Sequence, residues 1–254
     1  MQVDLNSDLG ESFGPWQMGQ DEALMSSITS ANVACGFHAG DPSVMRQTIA
    51  LAKQHGVAVG AHPGFPDLIG FGRREIQASP REVEDYVLYQ ISALAGMAAT
   101  QSVRLQHVKA HGALYNQACR DASLAEAIAR AVAAFDSSLI LLGLPGSALL
   151  RAGQQAGLRV AAEVFADRAY DADGSLTSRR KPGAVLHDAA QVVDRAIRMA
   201  RDRQVTAIDG SAVRLDVDTI CLHGDTPGSA ELARQVKQGL IEAGIRVGAL
   251  QTTL

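Results

Sequence analysis

The sequence predicts an α/β chain: a (β/α) barrel of the TIM type, formed as one domain over residues 1–254. Three observations lead there. Short β-branched or apolar runs recur along the chain, each ending in a cluster of Gly, His or Asp. Stretches with helical start signals lie between them, and strand followed by helix, repeated, is the pattern of a parallel sheet with helical crossovers. Side-chain parity also gives several strands a polar face, whereas a strand of an open parallel sheet is covered by helices on both sides and reads as almost continuously apolar. A polar face fits a barrel lumen that opens into a site at the C-terminal ends of the strands.

The first strand, "VDLNSDLGE", places Asp4, Asn6 and Asp8 on one face and Val3 and Leu5 on the other. The second, "ANVACGFHAGD", runs into Asp41-Pro42, an N-cap followed by Pro at the first helical position. After the third, "VAVGAHPGF", comes the insertion "PGFPDLIGFGRREIQ", and Ser79-Pro80-Arg81-Glu82 then offers a capping box. The fourth, "LQHVKAHGALY", groups His107, Lys109 and His111 against Val108 and Ala110, and Ser123 with Glu126 opens the next helix. "LILLGLPGS" and "VAAEVFADRAY" are the fifth and sixth, the latter followed by a second insertion, "YDADGSLTSRRKPG". "VTAIDGSAVRLD" reads as a small hairpin about Asp209-Gly210. The seventh strand is "TICLHGDTPG", with Thr226-Pro227 as a helix start, and the tail "GIRVGALQ" could add an eighth.

At 47% hydrophobic, the chain can fill one large core. Its formal net charge of -4, with both signs mixed along the sequence, argues against nucleic acid or a polybasic membrane surface as partner. No apolar run approaches the ~20 residues of a membrane span, and the N-terminus goes straight into charged residues, so a cytoplasmic location is expected. The three cysteines, Cys35, Cys119 and Cys221, are widely spaced and read as reduced thiols.

Ionisable residues gather at the strand ends: Asp8 and Glu11, His38 and Asp41, His62, Lys109 and His111, Glu163 and Asp167, then His223 and Asp225. Five of the seven histidines lie on or beside such ends, and this convergence points to a site. Metal ligation is one reading of it. His107 and His111, with Asp8, supply suitable donors, but on an extended strand the two rings stand roughly 13 Å apart, too far to share an ion. His38 and His62, from neighbouring strands, make a better pair. Cysteine catalysis is disfavoured, since Cys35 and His38 fall on opposite faces with no basic neighbour to lower the thiol pKa, and Cys221 lies between two apolar residues. No P-loop and no GxGxxG follow a strand. "GLPGSALL" reads as a turn and cap rather than an anion site. The pairs Arg73-Arg74 and Arg179-Arg180 sit in the two insertions over the barrel mouth, where guanidinium forks suit carboxylate or phosphate.

Six ordered stretches, "DLNSDLGE", "NVACGFHAGDP", "GAHPGFPDLIGFGRR", "VKAHGALYN", "EVFADRAYDADGSLTSRRKPGAV" and "CLHGDTP", together resemble the LamB/YcsF family. Ala110 stands where Pro is expected, and Ser7 where Cys or Ala is common. The resemblance implies a seven-stranded (β/α) barrel of the glycoside hydrolase/deacetylase type. It also implies ATP-dependent ring opening of 5-oxo-L-proline to L-glutamate, with 5-oxoprolinase subunits B and C as partners. ATP would then be held mainly by those partners, in keeping with the missing P-loop, and a divalent metal stays open.

On that reading Asp8 or His38 is the general base on water, and Lys109 and His111 stabilise the oxyanion or the departing phosphate. His62, Asp167 and His223 orient these groups or protonate the ring nitrogen. Asn6, Glu11, Asn32, Asp41, Arg73, Arg74, Glu163, Arg179 and Arg180 are the expected substrate contacts. Two rival readings stand beside it: a stand-alone metal-dependent deacetylase or amidohydrolase using His38, His62 and Asp8, and a non-catalytic component that only holds substrate.

Overall fold

Each apolar run that ends in polar residues becomes one strand of a sheet that closes on itself. The computed structural model describes residues 1–178, 181–222 and 228–251. In chain order the elements are β1 (Gln2–Leu9), α1 (Asp21–Met25), β2 (Ser30–Ala34), α2 (Pro42–His55), β3 (Ala58–His62), α3 (Pro80–Ala99), β4 (Leu105–Val108), α4 (Gly112–Arg120), α5 (Ala122–Phe135), β5 (Ile140–Gly143), α6 (Ala148–Gln155) and β6 (Arg159–Phe165). There follow α7 (Ala189–Asp202), β7 (Gln204–Thr206), β8 (Ala212–Arg214), β9 (Thr219–Cys221), α8 (Ser229–Glu242) and β10 (Arg246–Val247).

Seven parallel strands close the ring in the order β1-β2-β3-β4-β5-β6-β9, with β9 pairing back onto β1 through Asp4↔Thr219 to Asn6↔Cys221. β10 lies beside the start of β1, Gln2↔Arg246 and Val3↔Val247, below the point where β9 meets it. The tail is therefore an eighth strand of the sheet without belonging to the closed ring. β7 and β8 form the expected antiparallel hairpin, with Ser211 N–H donating to Asp209 Oδ1 at 2.9 Å across the turn.

Parity on β1 holds. Val3, Leu5 and Leu9 join the core under the helices, while Asp4 and Asn6 bond on the lumen side to residues of the adjoining strands β2 and β9. Deep in the barrel, Asp4 accepts from the hydroxyls of Thr29 (2.6 Å), Ser30 (2.7 Å) and Thr219 (2.5 Å). Burial nonetheless pushes its pKa up, against those three bonds. On the β5–β6 side the lumen is apolar: Ile140, Leu142 and Ala161 pack with Leu250 of the tail, whose carbonyl accepts from Gln106 Nε2 at 2.9 Å.

The helix starts follow local chemistry. Asp41 caps α2 by accepting from Ser43 N and Val44 N, and Ser79 with Glu82 makes both bonds of a capping box on α3, each cap contributing about 1 kcal/mol. α5 departs from the expected Ser123–Glu126 box. Its cap is Asp121, whose Oδ1 accepts from Ser123 N (2.9 Å), Leu124 N (3.3 Å) and Ser123 Oγ (2.7 Å). An ionised acceptor at the positive helix end outcompetes the serine hydroxyl, which becomes a donor to it. Ser147 caps α6, so "GLPGSALL" is the turn and cap expected. The Thr226-Pro227 start lies outside the described residues. Among the described residues, no helix is long and apolar enough to cross a membrane.

Candidate active site

The C-terminal ends of β1 to β4 and β6 deliver one cluster. Asp8 is near the end of β1, and Gly10, at φ +69°, turns the chain so that Glu11 comes back over the mouth. His38 sits in a turn after β2 closed by Gly36 N–H to Ala39 O at 2.8 Å. His62 is the last residue of β3, and Glu163 lies within β6.

β4 stops at Val108 rather than running through His111. Lys109 N–H still donates to Ala61 O (2.9 Å) and His111 N–H to Pro63 O (2.8 Å), but His111 occupies the N-cap position of α4. Gly112 makes the bend, at φ +52°, where an added Cβ would lie 2.6 Å from Gly72 O of the first insertion. This corrects the simple two-residue alternation through "HVKAH". His107 lies deep in the lumen, its Nε2–H donating to Asn32 Oδ1 at 2.7 Å, while His111 stands at the mouth.

At the mouth, three imidazoles meet two carboxylates. The rings of His38 and His111 stack, with centroids 3.7 Å apart and planes 3° apart, and His62 meets both edge-on. His111 Nδ1 is 3.0 Å from His62 Nε2. Glu11 Oε1 lies 3.5 Å from both His38 Nε2 and His111 Nδ1, and Asp8 Oδ2 lies 3.3 Å from His62 Nε2. Burial, and then the neighbouring imidazoles, hold His38 and His111 well below the usual histidine range. Four donor-bearing residues, Glu11, His38, His62 and His111, bring ligand atoms within 4.8 Å of one another.

Beneath them Lys109 Nζ reaches Asp8 Oδ1 (2.8 Å), Glu163 Oε1 (2.9 Å), Cys221 Sγ (3.1 Å) and Asn6 Oδ1 (3.4 Å). Burial works against the ammonium, but Asp8 and Glu163 more than offset it, so its pKa lies well above the ordinary lysine value. Asp8 has the most exposed side chain of this cluster, at 15%, so its carboxylate is where the buried network meets the mouth.

Several expected substrate contacts are taken up by the protein itself. Asn6 and Asn32 are fully buried: Asn32 Nδ2 donates to Asn6 Oδ1 (2.7 Å) and Asp8 Oδ1 (2.8 Å), and Asn6 Nδ2 donates to Thr219 Oγ1 (2.7 Å). They orient Asp8 and Lys109 from below. Glu163 is likewise fully buried on Lys109, and Asp41 caps α2 while its Oδ2 accepts from Gly14 N at 2.8 Å. The paired arginines separate. Arg74 Nε donates to both oxygens of Asp67 at 3.0 Å, whereas the Arg73 guanidinium lies 4.9 Å over the Phe71 ring, which packs edge-on against His38 and His111. Asp167 is buried just past β6, and its charge raises the pKa of Cys221, in which burial is the main cause. His223, Arg179 and Arg180 lie outside the described residues.

Cys35 is a core thiol, pushed up to about 12 by burial. Cys221 is equally buried but touches the Lys109 ammonium, so it faces the lumen network and not a purely apolar core. Sequence reading passes over Phe71, whose carbonyl accepts from His111 Nε2 at 2.8 Å. A backbone acceptor leaves no mark in residue type. The neighbouring Gly72 is the available signal, since a Cβ there would fall 2.8 Å from both His38 and His111.

Fold and site together define a closed seven-stranded parallel α/β barrel with a buried cluster of histidines and carboxylates at its C-terminal mouth. The chain belongs to the LamB/YcsF family, whose model matches residues 3–254. It is 56% identical over 249 residues to the A subunit of 5-oxoprolinase from Tolumonas auensis, covering 98% of this chain and 99% of that one. The corresponding 5-oxoprolinase component of Methylococcus capsulatus is 57% identical over 248 residues, covering 98% and 95%. Among solved structures, the lactam utilization protein from Thermus thermophilus superposes with a TM-score of 0.94 at 49% identity, covering 98% of this chain and 100% of that one.

Proposed function

We propose that this chain is the hydrolytic component of a 5-oxoprolinase, opening 5-oxo-L-proline to L-glutamate with ATP and the partner subunits B and C. The observation that carries this reading is the meeting of Asp8 with a charged Lys109 under a histidine-lined mouth, in a chain similar along its whole length to proteins named as the A subunit of 5-oxoprolinase. A five-membered lactam is a stable amide, and direct attack by water on it is slow. Phosphorylation of the carbonyl oxygen by ATP on the partners makes that carbon electrophilic. Water then adds to it, the carbon–nitrogen bond breaks with the nitrogen taking a proton, and the resulting acyl phosphate reacts with a second water to give glutamate and phosphate.

Asp8 is the general base on water, because it is the exposed member of the cluster and is held by Lys109 and Asn32. Lys109 holds Asp8 in place at 2.8 Å and supplies fixed positive charge beneath the oxyanion. His111 is a poorer oxyanion donor than the sequence suggests: as a neutral ring its N–H is directed at Phe71 O. We assign the substrate carboxylate to Arg73, whose guanidinium lies 4.9 Å over the Phe71 ring beside His38 and His111.

The test is glutamate release from 5-oxo-L-proline by the partner subunits with ATP, with and without this chain. Release that requires the chain supports the reading, and equal release without it overturns any hydrolytic role. Amide hydrolysis by the chain alone, without ATP, would point instead to a stand-alone amidohydrolase.

A further inference from the structure

We propose that His38, His62, His111 and Glu11 form a binding site for one divalent transition-metal cation of the zinc type, held by His38 Nε2, His62 Nε2, His111 Nδ1 and a Glu11 carboxylate oxygen. Backbone carbonyls set the tautomers of two of these rings. His62 Nδ1 lies 2.7 Å from the Lys109 carbonyl oxygen, and a carbonyl only accepts, so Nδ1 carries a proton and, in the neutral ring, Nε2 carries the lone pair. His111 Nε2 lies 2.8 Å from the Phe71 carbonyl oxygen, so by the same reasoning Nδ1 carries the lone pair. These two lone-pair nitrogens face each other at 3.0 Å. Neutral rings in these tautomers have no hydrogen to place between them. The contact is repulsive until a cation occupies the space both nitrogens address.

Two further observations identify the cation. In a tetrahedral site with metal–nitrogen bonds near 2.0–2.1 Å, adjacent ligand atoms are about 3.3 Å apart. Three of the six separations here are 3.0 Å for His62–His111 and 3.5 Å for both His38–Glu11 and His111–Glu11, and all six lie within 4.8 Å, so the ligands draw in around the ion. His38 is fully buried and neither of its ring nitrogens has a hydrogen-bond partner; its ring lies parallel to His111 at 3.7 Å, so it turns out of that stack to share the ion. A buried imidazole without a partner is costly, and a bound ion would complete it. Three imidazoles and a carboxylate suit zinc, cobalt or nickel and not the oxygen-preferring magnesium or calcium. The backbone carbonyls on His62 and His111 are the outer contacts that metal-ligating histidines make to fix ring orientation. Asp8, 3.3 Å from His62 Nε2 and more exposed than the ligands, lies beside the proposed site. Ring geometry and donor type carry the metal site, so it stands or falls separately from the lactam reading.

The test uses the full chain stripped with a chelator, titrated with cobalt(II) by visible absorption and with zinc(II) by calorimetry. The expected result is one ion per chain and the absorption of a low-coordinate nitrogen–oxygen cobalt site. His62→Ala and His111→Ala are each expected to weaken binding by about 100-fold or more, exceeding the effect typical of outer-shell changes. His38→Gln keeps most of the volume and serves as a second variant should an alanine variant unfold on stripping. His55→Ala, on the distant end of α2, should leave binding unchanged. A folded, stripped wild-type chain that takes up neither ion saturably would overturn the proposal. So would binding insensitive to all three site variants, or nitrogen NMR showing a proton shared between His62 and His111 that persists when zinc is added.

Discussion

Replacing Gly60 by Ala tests the lumen network through a single added methyl group. The backbone conformation at Gly60 is ordinary, so the change acts through space alone. The new Cβ would lie 2.1 Å from His107 Nε2, 2.2 Å from Cδ2 and 2.4 Å from Cε1, so the ring must move by more than an ångström. It has little room, being fully buried and bonded at 2.7 Å to Asn32, which in turn holds Asp8 at 2.8 Å. Overpacking of this kind costs ~1–3 kcal/mol, and breaking a buried hydrogen bond ~1–3 kcal/mol more, with partial overlap between the two. A loss of roughly 2–4 kcal/mol lowers Tm by roughly 5–15 °C for a chain of this size. Thermal unfolding of Gly60→Ala beside Gly96→Ala is the assay. Gly96 lies in α3 with nothing within 4 Å of its added Cβ, so that change is expected to stabilise by ~0.5–1 kcal/mol. A Gly60→Ala protein melting with the wild type, or a Gly96→Ala protein falling equally, would refute the packing argument.

With a thiol reagent at pH 8, the native chain should leave Cys35 and Cys221 unlabelled and Cys119 slow, since burial raises Cys35 to about 12 and Cys119 to about 11; all three should react in guanidinium. Rapid native labelling of Cys35 would contradict this. Glu231 is held down to about 2 by Arg234 and then Gln235, below the ordinary 4.5, so its contribution to stability is present above pH 4.5 and is lost as pH falls through the folded value. Carboxyl NMR titration with a Glu231 midpoint at or above 4.5 would show the opposite. In the three-subunit assay, Arg73→Ala should raise KM for 5-oxo-L-proline roughly 10–100-fold, from a charged hydrogen bond of ~1.5–3 kcal/mol, and Arg74→Ala should not. Equal KM changes in both variants would remove the distinction drawn from Asp67.

Much of this arrangement is legible in the residues because strands enforce a period of two and a barrel brings its strand ends together. Asp4, Asn6 and Asp8 share the lumen face that parity requires, and Asp8, His38, His62, Lys109 and His111 meet at one mouth. Legibility ends where a contact distant in sequence decides. β4 ends at Val108 because Gly112 packs on Gly72, forty residues earlier in the chain, so His111 turns toward His62 instead of continuing the strand. Asn6 and Asn32 look like ligand contacts because polar residues near strand ends often are, yet each finds its partner on the adjoining strand. Arg73 and Arg74 are equivalent in sequence, and only the fold of the insertion, which sets Asp67 beside Arg74, tells them apart. α5 is capped by Asp121 and not by Ser123 because the carboxylate is the stronger acceptor.

A double-substitution cycle in the reconstituted complex tests most directly whether Asp8 and Lys109 work as one unit. Asp8→Asn and Lys109→Met should each lower kcat for ATP-dependent glutamate release by about 100-fold or more. Because each acts through the other, the double variant should fall no further than the weaker single variant. Losses that multiply, or full turnover in either single variant, would contradict a shared centre at the barrel mouth.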